Sequence, residues 1–221
     1  MSKYDKTAVI PFDQSLEWSL TKDDSLVDWK IYSRLGLPPC YGNHPLAKPI
    51  YAQYALRVWE QPREYLLDRF SMDQIVEYLY DPIQPDYQGE MRDRSWAALR
   101  TLFEEVFLPN VSDSLGHKSQ INPSTKLLDT ICYMWWELRT YRPKRGSKVN
   151  DEHFLNFCKY CCDTGKPTIQ KSAIHGLGHS VQGKSRFPGA RRLLQCFIDN
   201  GLAANPELNR YARIALSGEM L

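Results

Sequence analysis

The sequence has no long apolar run and only a small excess of charge. No window approaches the roughly 18 consecutive apolar residues that a membrane span requires, so we predict no membrane association. The first residues also lack the apolar core of a secretory signal, and we expect a cytoplasmic protein. The formal net charge of +2 at pH 7 is too small to predict a polycation that binds nucleic acid nonspecifically.

The signatures of common catalytic folds are missing as well. The sequence has no glycine-rich phosphate loop, no G-x-S-x-G nucleophile elbow and no dinucleotide-binding fingerprint. It also has no run with clean alternation of apolar and polar residues, which is the pattern of a half-buried strand. These absences favour a helical protein that is not an enzyme and binds no cofactor.

From about residue 47 onward, apolar residues recur every three to four positions, which is the spacing of amphipathic helices. Helices are predicted over 50–60, 71–80, 92–107, 124–139, 151–162, 168–181, 190–200 and 206–217. Short turns separate most of them. The pattern predicts an all-α fold of antiparallel helix pairs, stacked either as an irregular HEAT-like solenoid or as a helical bundle.

The first 45 residues differ from the rest of the chain. They contain Pro11, Pro38 and Pro39 and show no sustained periodicity. We therefore predict an irregular N-terminal arm over 1–45 that packs on a single helical domain over 46–221. A chain of 221 residues is long enough for such a domain to bury a sizeable core.

One group of cysteines and histidines has the loose spacing of a zinc site. Cys158 and Cys161 form a Cys-x-x-Cys pair with Cys162 beside it, and His175 and His179 follow one helical turn apart. However, the cysteines share an apolar helical stripe, where Cys behaves as a small hydrophobic residue. Zinc binding is therefore an alternative hypothesis, and no residue is assigned as a metal ligand.

The segment His175-Gly176-Leu177-Gly178-His179 places two glycines inside a predicted helix. Each glycine is less favourable there than alanine by about 1 kcal/mol, which is tolerated where a neighbouring backbone comes very close. The two histidines lie about 40° apart on the helix and point away from its main apolar side. We predict that they lie at a second packing interface or near the surface, hydrogen-bonded rather than catalytic.

The stretches KSAIHGLGHSVQ, RRLLQCFIDN and PELNRYARIALSGEML resemble the C-terminal end of a group of uncharacterised bacterial helical proteins. The resemblance covers about residues 171–221, and HGLGH is its most specific part. It implies a HEAT-like helical fold and a bacterial origin, and it supplies no activity and no catalytic residue. Helical proteins of this kind resemble antidotes encoded beside secreted bacterial toxins, so an immunity role follows by analogy.

A basic, aromatic segment near the middle of the chain is the predicted interaction surface. Its candidate residues are Trp136, Arg139, Tyr141, Arg142, Lys144 and Arg145. Such a segment could bind single-stranded nucleic acid through the turn at 139–148, which is a second alternative. Because the overall charge is near zero and aromatic residues make up 12% of the chain, we instead predict a protein partner, possibly a toxin domain.

Overall fold

The computed structural model describes residues 12–21, 48–80, 85, 87, 89–113, 127–138, 148–182 and 188–219. All regular structure in these ranges is helical, and they contain no strand. The prediction of an all-α protein is therefore confirmed, whereas the HEAT-like stacking remains a prediction. None of the helices in these ranges combines the length and the apolar character that crossing a bilayer requires.

The α-helices of four or more described residues are α1 (Phe12–Thr21), α2 (Lys48–Glu60), α3 (Met72–Tyr80), α4 (Arg92–Leu102), α5 (Leu127–Tyr133), α6 (Trp135–Leu138), α7 (Lys148–Asp163), α8 (Pro167–Gln182), α9 (Pro188–Asp199) and α10 (Pro206–Ser217). The helix predicted over 92–107 is α-helical only to Leu102 and continues as a π-helical turn over Phe103–Phe107. The helix predicted over 124–139 is interrupted at Met134 within its described part.

The chain divides into two compact units between Leu102 and Phe103. The sequence predicted one helical domain over 46–221 and did not indicate this division. Helix α1 belongs to the first unit and lies inside the segment for which an irregular arm was predicted. That prediction is therefore wrong for Phe12–Thr21, and the rest of the predicted arm lies outside the described residues.

In the first unit, α1 packs against α3 and α2 packs against α4. The ring of Phe12 makes edge contacts with Tyr54 and Tyr65, at centroid distances of 5.3 and 5.2 Å. The guanidinium carbon of Arg57 lies 4.3 Å from the Phe12 centroid and 4.8 Å from that of Tyr65. Its Nε donates a hydrogen bond to the Tyr65 hydroxyl at 2.7 Å. One cation thus holds two buried rings together at the start of α1.

Helix α8 is the centre of the second unit. It contacts α5, α6, α7, α9 and α10. Of its 16 residues, 12 are buried, so the helix is surrounded by packed residues on nearly every side. The many small residues of this helix allow its neighbours to approach closely. Side chains that α8 carries are consequently held in fixed surroundings.

Local capping residues lie at the ends of α9 and α10. Gly201 lies two residues after α9 and Gly218 directly after α10, with φ of 62° and 82°, a left-handed conformation that favours glycine. Before α10, the side chain of Asn205 accepts a hydrogen bond from the backbone N–H of Leu208 at 2.9 Å. Pro206 then occupies the first helical position, which proline favours. These caps fix where α10 begins and therefore where its side chains meet α8.

A buried amide connects α8 to two other segments. The Nε2 of Gln170 donates to the carbonyl oxygen of Cys162 at 2.7 Å and to that of Leu202 at 2.8 Å. Its Oε1 accepts from the backbone N–H of Ala204 at 2.9 Å. The Gln170 side chain therefore joins α8 to the end of α7 and to the connection between α9 and α10.

Candidate functional site

The glycines of the HGLGH segment are both buried in α8. A Cβ atom added to Gly176 would lie 2.7 Å from Cγ and Cδ1 of Trp136, a distance that real side chains do not show. The indole cannot easily yield, because it packs edge-on against Phe154 and Phe157 at centroid distances of 5.0 and 5.8 Å. The close neighbour of Gly176 is therefore an aromatic ring rather than a backbone segment.

This contact also changes the interpretation of Trp136. Its residue surface is only 8% exposed, so it lies inside the second unit and not on the surface where an interaction anchor is expected. The other predicted interaction residues, Arg139, Tyr141, Arg142, Lys144 and Arg145, lie outside the described residues. Their role in partner binding remains a prediction.

The two histidines of the segment belong to one chain of hydrogen bonds. The Nδ1 of His175 lies 2.7 Å from the hydroxyl of Tyr211, which lies 3.2 Å from the hydroxyl of Tyr133. The Nε2 of His175 lies 3.1 Å from the Nε2 of His179. His175 is fully buried, the tyrosines are half-buried and His179 is exposed. These hydrogen bonds therefore connect a buried imidazole to the protein surface.

Two helices bring the tyrosines to this chain. Tyr133 is the last residue of α5, and its ring centroid lies 4.3 Å from that of His175. Tyr211 projects from α10. On α8, Lys171 lies one turn before His175, and its Nζ lies 4.9 Å from the Tyr133 centroid and 5.8 Å from that of Tyr211. Both distances are within the range of cation–ring attraction.

These side chains form one surface, which we call the tyrosine–histidine face. Its members are Tyr133, Lys171, His175, His179 and Tyr211. Lysine, histidine and histidine follow at intervals of four residues and so share one stripe of α8. The tyrosines cover the buried imidazole from either neighbouring helix. The sequence predicted that the histidines lie at a second packing interface or near the surface. His175 lies between helices, and His179 lies at the surface.

The contact between the two imidazoles restricts their protons. Two ring nitrogens at 3.1 Å form a hydrogen bond only when one of them carries a proton and the other does not. If His175 donates to His179, its Nδ1 accepts from Tyr211. If His179 donates instead, the Nδ1 of His175 carries the proton and donates to Tyr211. The hydrogen bonds from His179 to Tyr133 can therefore all point in one direction or all in the other.

The cysteines are not part of this face. Cys158, Cys161 and Cys162 are buried in α7. Burial raises the pKa of Cys158 well above its ordinary value and that of Cys162 to about 12. At neutral pH these two thiols stay protonated, a form that is a poor nucleophile and a poor metal ligand.

The zinc cluster that was the alternative hypothesis does not come together in the described residues. Among the described residues, no three His, Cys, Asp or Glu side chains are arranged so that they could hold a metal ion. The imidazole nitrogens of His175 instead contact His179 and Tyr211. The cysteines lie on α7 and the histidines on α8.

Three members of the face were not identified from the sequence. Lys171 had a detectable signal, because it precedes His175 by one helical turn and shares its stripe. Tyr133 and Tyr211 had none, since they are 78 residues apart in the chain and only the packing of α5 and α10 on α8 brings their hydroxyls together. Local spacing cannot reveal contacts over such a separation.

Comparisons of the chain with protein-family models, with curated proteins and with solved structures found no match. The resemblance to bacterial proteins with an HGLGH segment therefore remains a prediction. Any proposal about function depends on the physical properties of the tyrosine–histidine face.

Proposed function

We propose that this chain is a non-enzymatic binding protein, and that it acts in the cytoplasm as an immunity protein that neutralises a bacterial toxin. The observation that carries the proposal is the tyrosine–histidine face. It combines two half-buried tyrosines with a lysine and an exposed histidine, joined by hydrogen bonds and ring contacts. Tyrosine is enriched among the residues that dominate the energy of protein interfaces.

The rigidity of the face supports binding. Ordering a side chain at an interface opposes association by about 0.5–1.5 kcal/mol, and this term is smaller when the side chain is already held in place. The Tyr211 hydroxyl is held between the Nδ1 of His175 and the hydroxyl of Tyr133, at 2.7 and 3.2 Å. The face is therefore pre-organised before any partner arrives.

The resemblance noted in the sequence agrees with this location. Its most specific part is HGLGH, and both histidines of that segment belong to the tyrosine–histidine face. The intervening Gly176 fixes α8 against Trp136, so the same short segment sets both the packing and the surface. We therefore propose a toxin as the partner, because this surface contains the segment on which the analogy with antidotes depends.

The test is to titrate the protein with each toxin domain encoded beside its gene, using isothermal titration calorimetry. We expect one of them to bind with a Kd of about 1 µM or tighter. Co-expression with that toxin should restore growth of the host. Failure of every neighbouring toxin to bind would contradict the proposal.

A matched pair of variants locates the binding surface. Tyr133→Ala should weaken binding by about 30-fold, the effect of losing about 2 kcal/mol at a central interface residue. Tyr80→Ala is the control, because Tyr80 is 56% exposed but lies on α3 in the first unit. Equal weakening by the two substitutions would show that the tyrosine–histidine face is not the docking surface. Circular dichroism confirms that both variants are folded.

A further inference from the structure

We infer that the chain associates with a second copy of itself, and that an acidic face of one copy docks on an arginine face of the next. The acidic face lies on α1 and α3 in the first unit, and the arginine face lies on α9 and α10 in the second. The inference goes beyond the proposed function, since neither face contains a member of the tyrosine–histidine face. It is carried by the opposite charges of the two faces and by one exposed hydrophobic side chain on each.

The acidic face is formed by two helices that pack against each other and contain no lysine or arginine. Its members are all exposed, and they are Asp13, Glu17, Asp73, Glu77 and Tyr80. The two acids of each helix are four residues apart, so like charges repel along one stripe. Within the described residues, none of the four carboxylates has an ion pair or a hydrogen bond. A cationic partner surface would therefore relieve this repulsion.

The arginine face is formed by two helices of the second unit. Its members are all exposed, and they are Arg191, Arg192, Arg210, Arg213 and Ile214. Helices α9 and α10 pack together and are joined by only six residues, so they are antiparallel. Arg192 and Arg213 each lie seven residues from the connected helix ends. They are therefore at the same level, about 10 Å along the helices from the connection.

The cations of this face are suited to carboxylates. Every cation in α9 and α10 is an arginine, whose planar guanidinium can donate two parallel hydrogen bonds to one carboxylate. In the part of the chain that the structure describes, none of the four guanidinium groups has an ion pair or a hydrogen bond. The acids of the two helices, Asp199 and Glu207, lie at the connected ends, where Asp199 accepts a hydrogen bond from Gln195 at 2.7 Å. The charges are thus separated along the helix pair.

Each face also carries a large hydrophobic side chain that is exposed. Tyr80 is 56% exposed and Ile214 is 36% exposed. Tyr80 follows Glu77 by three residues, and Ile214 follows Arg210 by four, so each lies on a charged stripe. Exposed ion pairs alone contribute little to association, because water and salt screen them. Burial of these side chains adds a hydrophobic contribution at the same place.

A second copy is the partner that matches these surfaces. Four carboxylates on one face correspond to four guanidinium groups on the other, and both faces belong to this chain. The formal net charge of +2 is small, so two copies repel each other only weakly. Because two different faces meet, the contact is heterologous and leaves one face of each kind open, so association can extend beyond two copies.

The test is analytical ultracentrifugation of the full chain at several protein concentrations, in low and in high salt. At about 50 mM NaCl we expect the average mass to rise with protein concentration, and at about 0.5 M NaCl to fall towards that of a single chain, because salt screens exposed charges. A single chain under all of these conditions, or association that salt does not weaken, would overturn the inference.

Substitutions assign the association to the two faces. Glu17→Lys with Glu77→Lys should weaken self-association by about tenfold or more, and so should Arg192→Glu with Arg213→Glu, because each pair removes the net charge of one face. An equimolar mixture of the two variants should form a dimer and nothing larger. The intact arginine face of the first variant then docks on the intact acidic face of the second, and no matching faces remain. A mixture in which neither variant associates would contradict the proposed contact.

A matched control separates the acidic face from overall charge. Glu64→Lys with Glu90→Lys makes the same change in net charge at two exposed positions of the first unit, outside the acidic face. This variant should associate like the unchanged chain. Equal weakening by the control and by the substitutions on the acidic face would assign the effect to net charge, and the inference would fail. Circular dichroism confirms that each variant is folded.

Discussion

Helix α8 has two sides that are held by different physics. On one side, Gly176 lies against the indole of Trp136, and the fit leaves no room for a single added carbon. On the other side, the adjacent residue His175 is held by hydrogen bonds to Tyr211 and His179. The Gly176 side is held by steric fit and has one arrangement of side chains. The His175 side is held by hydrogen bonds whose protons have two arrangements, so one helix can be rigid and still respond to its surroundings.

The largest expected effect concerns ionisation of a buried thiol on α7, a helix that packs against α8. The unfolded Cys162 thiol ionises near its ordinary pKa of 9.0, whereas burial raises the pKa of the folded one to about 12. Unfolding between these values releases a proton, so the free energy of unfolding should fall as the pH rises. The slope from this thiol is about 1.4 kcal/mol per pH unit. Urea denaturation at several pH values above 9 measures it.

Substitution identifies the responsible thiol. Cys162→Ala should reduce the alkaline slope by about one proton per molecule. Cys196→Ala is the control, because Cys196 is exposed on α9 and its removal should leave the slope unchanged. If both variants keep the full slope, the Cys162 thiol does not contribute to it, and the prediction is wrong.

Gly176→Ala is expected to have the next largest effect. Overpacking against Trp136 opposes folding by about 3 kcal/mol, and the better helix propensity of alanine offsets about 1 kcal/mol of it. The free energy of unfolding should therefore fall by about 2 kcal/mol. Adding Trp136→Phe should make the pair less destabilising than the sum of the single changes, since the smaller ring leaves room. Additive effects would show that no steric conflict exists.

Tyr211→Phe tests the other side and should have the smallest effect. It keeps the ring but removes the hydroxyl between His175 and Tyr133, which should lower the free energy of unfolding by about 1 kcal/mol. Tyr80→Phe, on the exposed side of α3, should change it little. A loss as large as that of Gly176→Ala would mean that both sides of α8 are held by packing.

The local elements could be predicted from the sequence because their signals are local. Ser71 and Gln74 form a capping box at the start of α3, in which each side chain accepts a hydrogen bond from the other residue's backbone N–H, at 3.4 and 3.0 Å. Gly201, shortly after α9, has the left-handed conformation that commonly ends a helix. Such signals depend on three or four neighbouring residues, which a single sequence displays in full.

The site could be predicted only in part. Leu128, Cys132 and Trp136 are spaced by four residues, a pattern that indicates burial of the indole, yet the basic residues that follow suggested a surface. The helical angle left two locations open for His179, a second packing interface or the surface, and it lies at the surface. The hydroxyl pair of Tyr133 and Tyr211 could not be predicted, because it depends on how two distant helices pack on a third.

The side chain of Gln170 has a consequence for the dynamics of the second unit. The backbone N–H of Ala204 lies in a connection between helices, where amide protons usually exchange rapidly with solvent. Here it donates to a fully buried carboxamide that also holds the carbonyls of Cys162 and Leu202. Exchange at Ala204 therefore requires α8 to separate from its neighbours, and this loop amide should be as slow as those of the central helix.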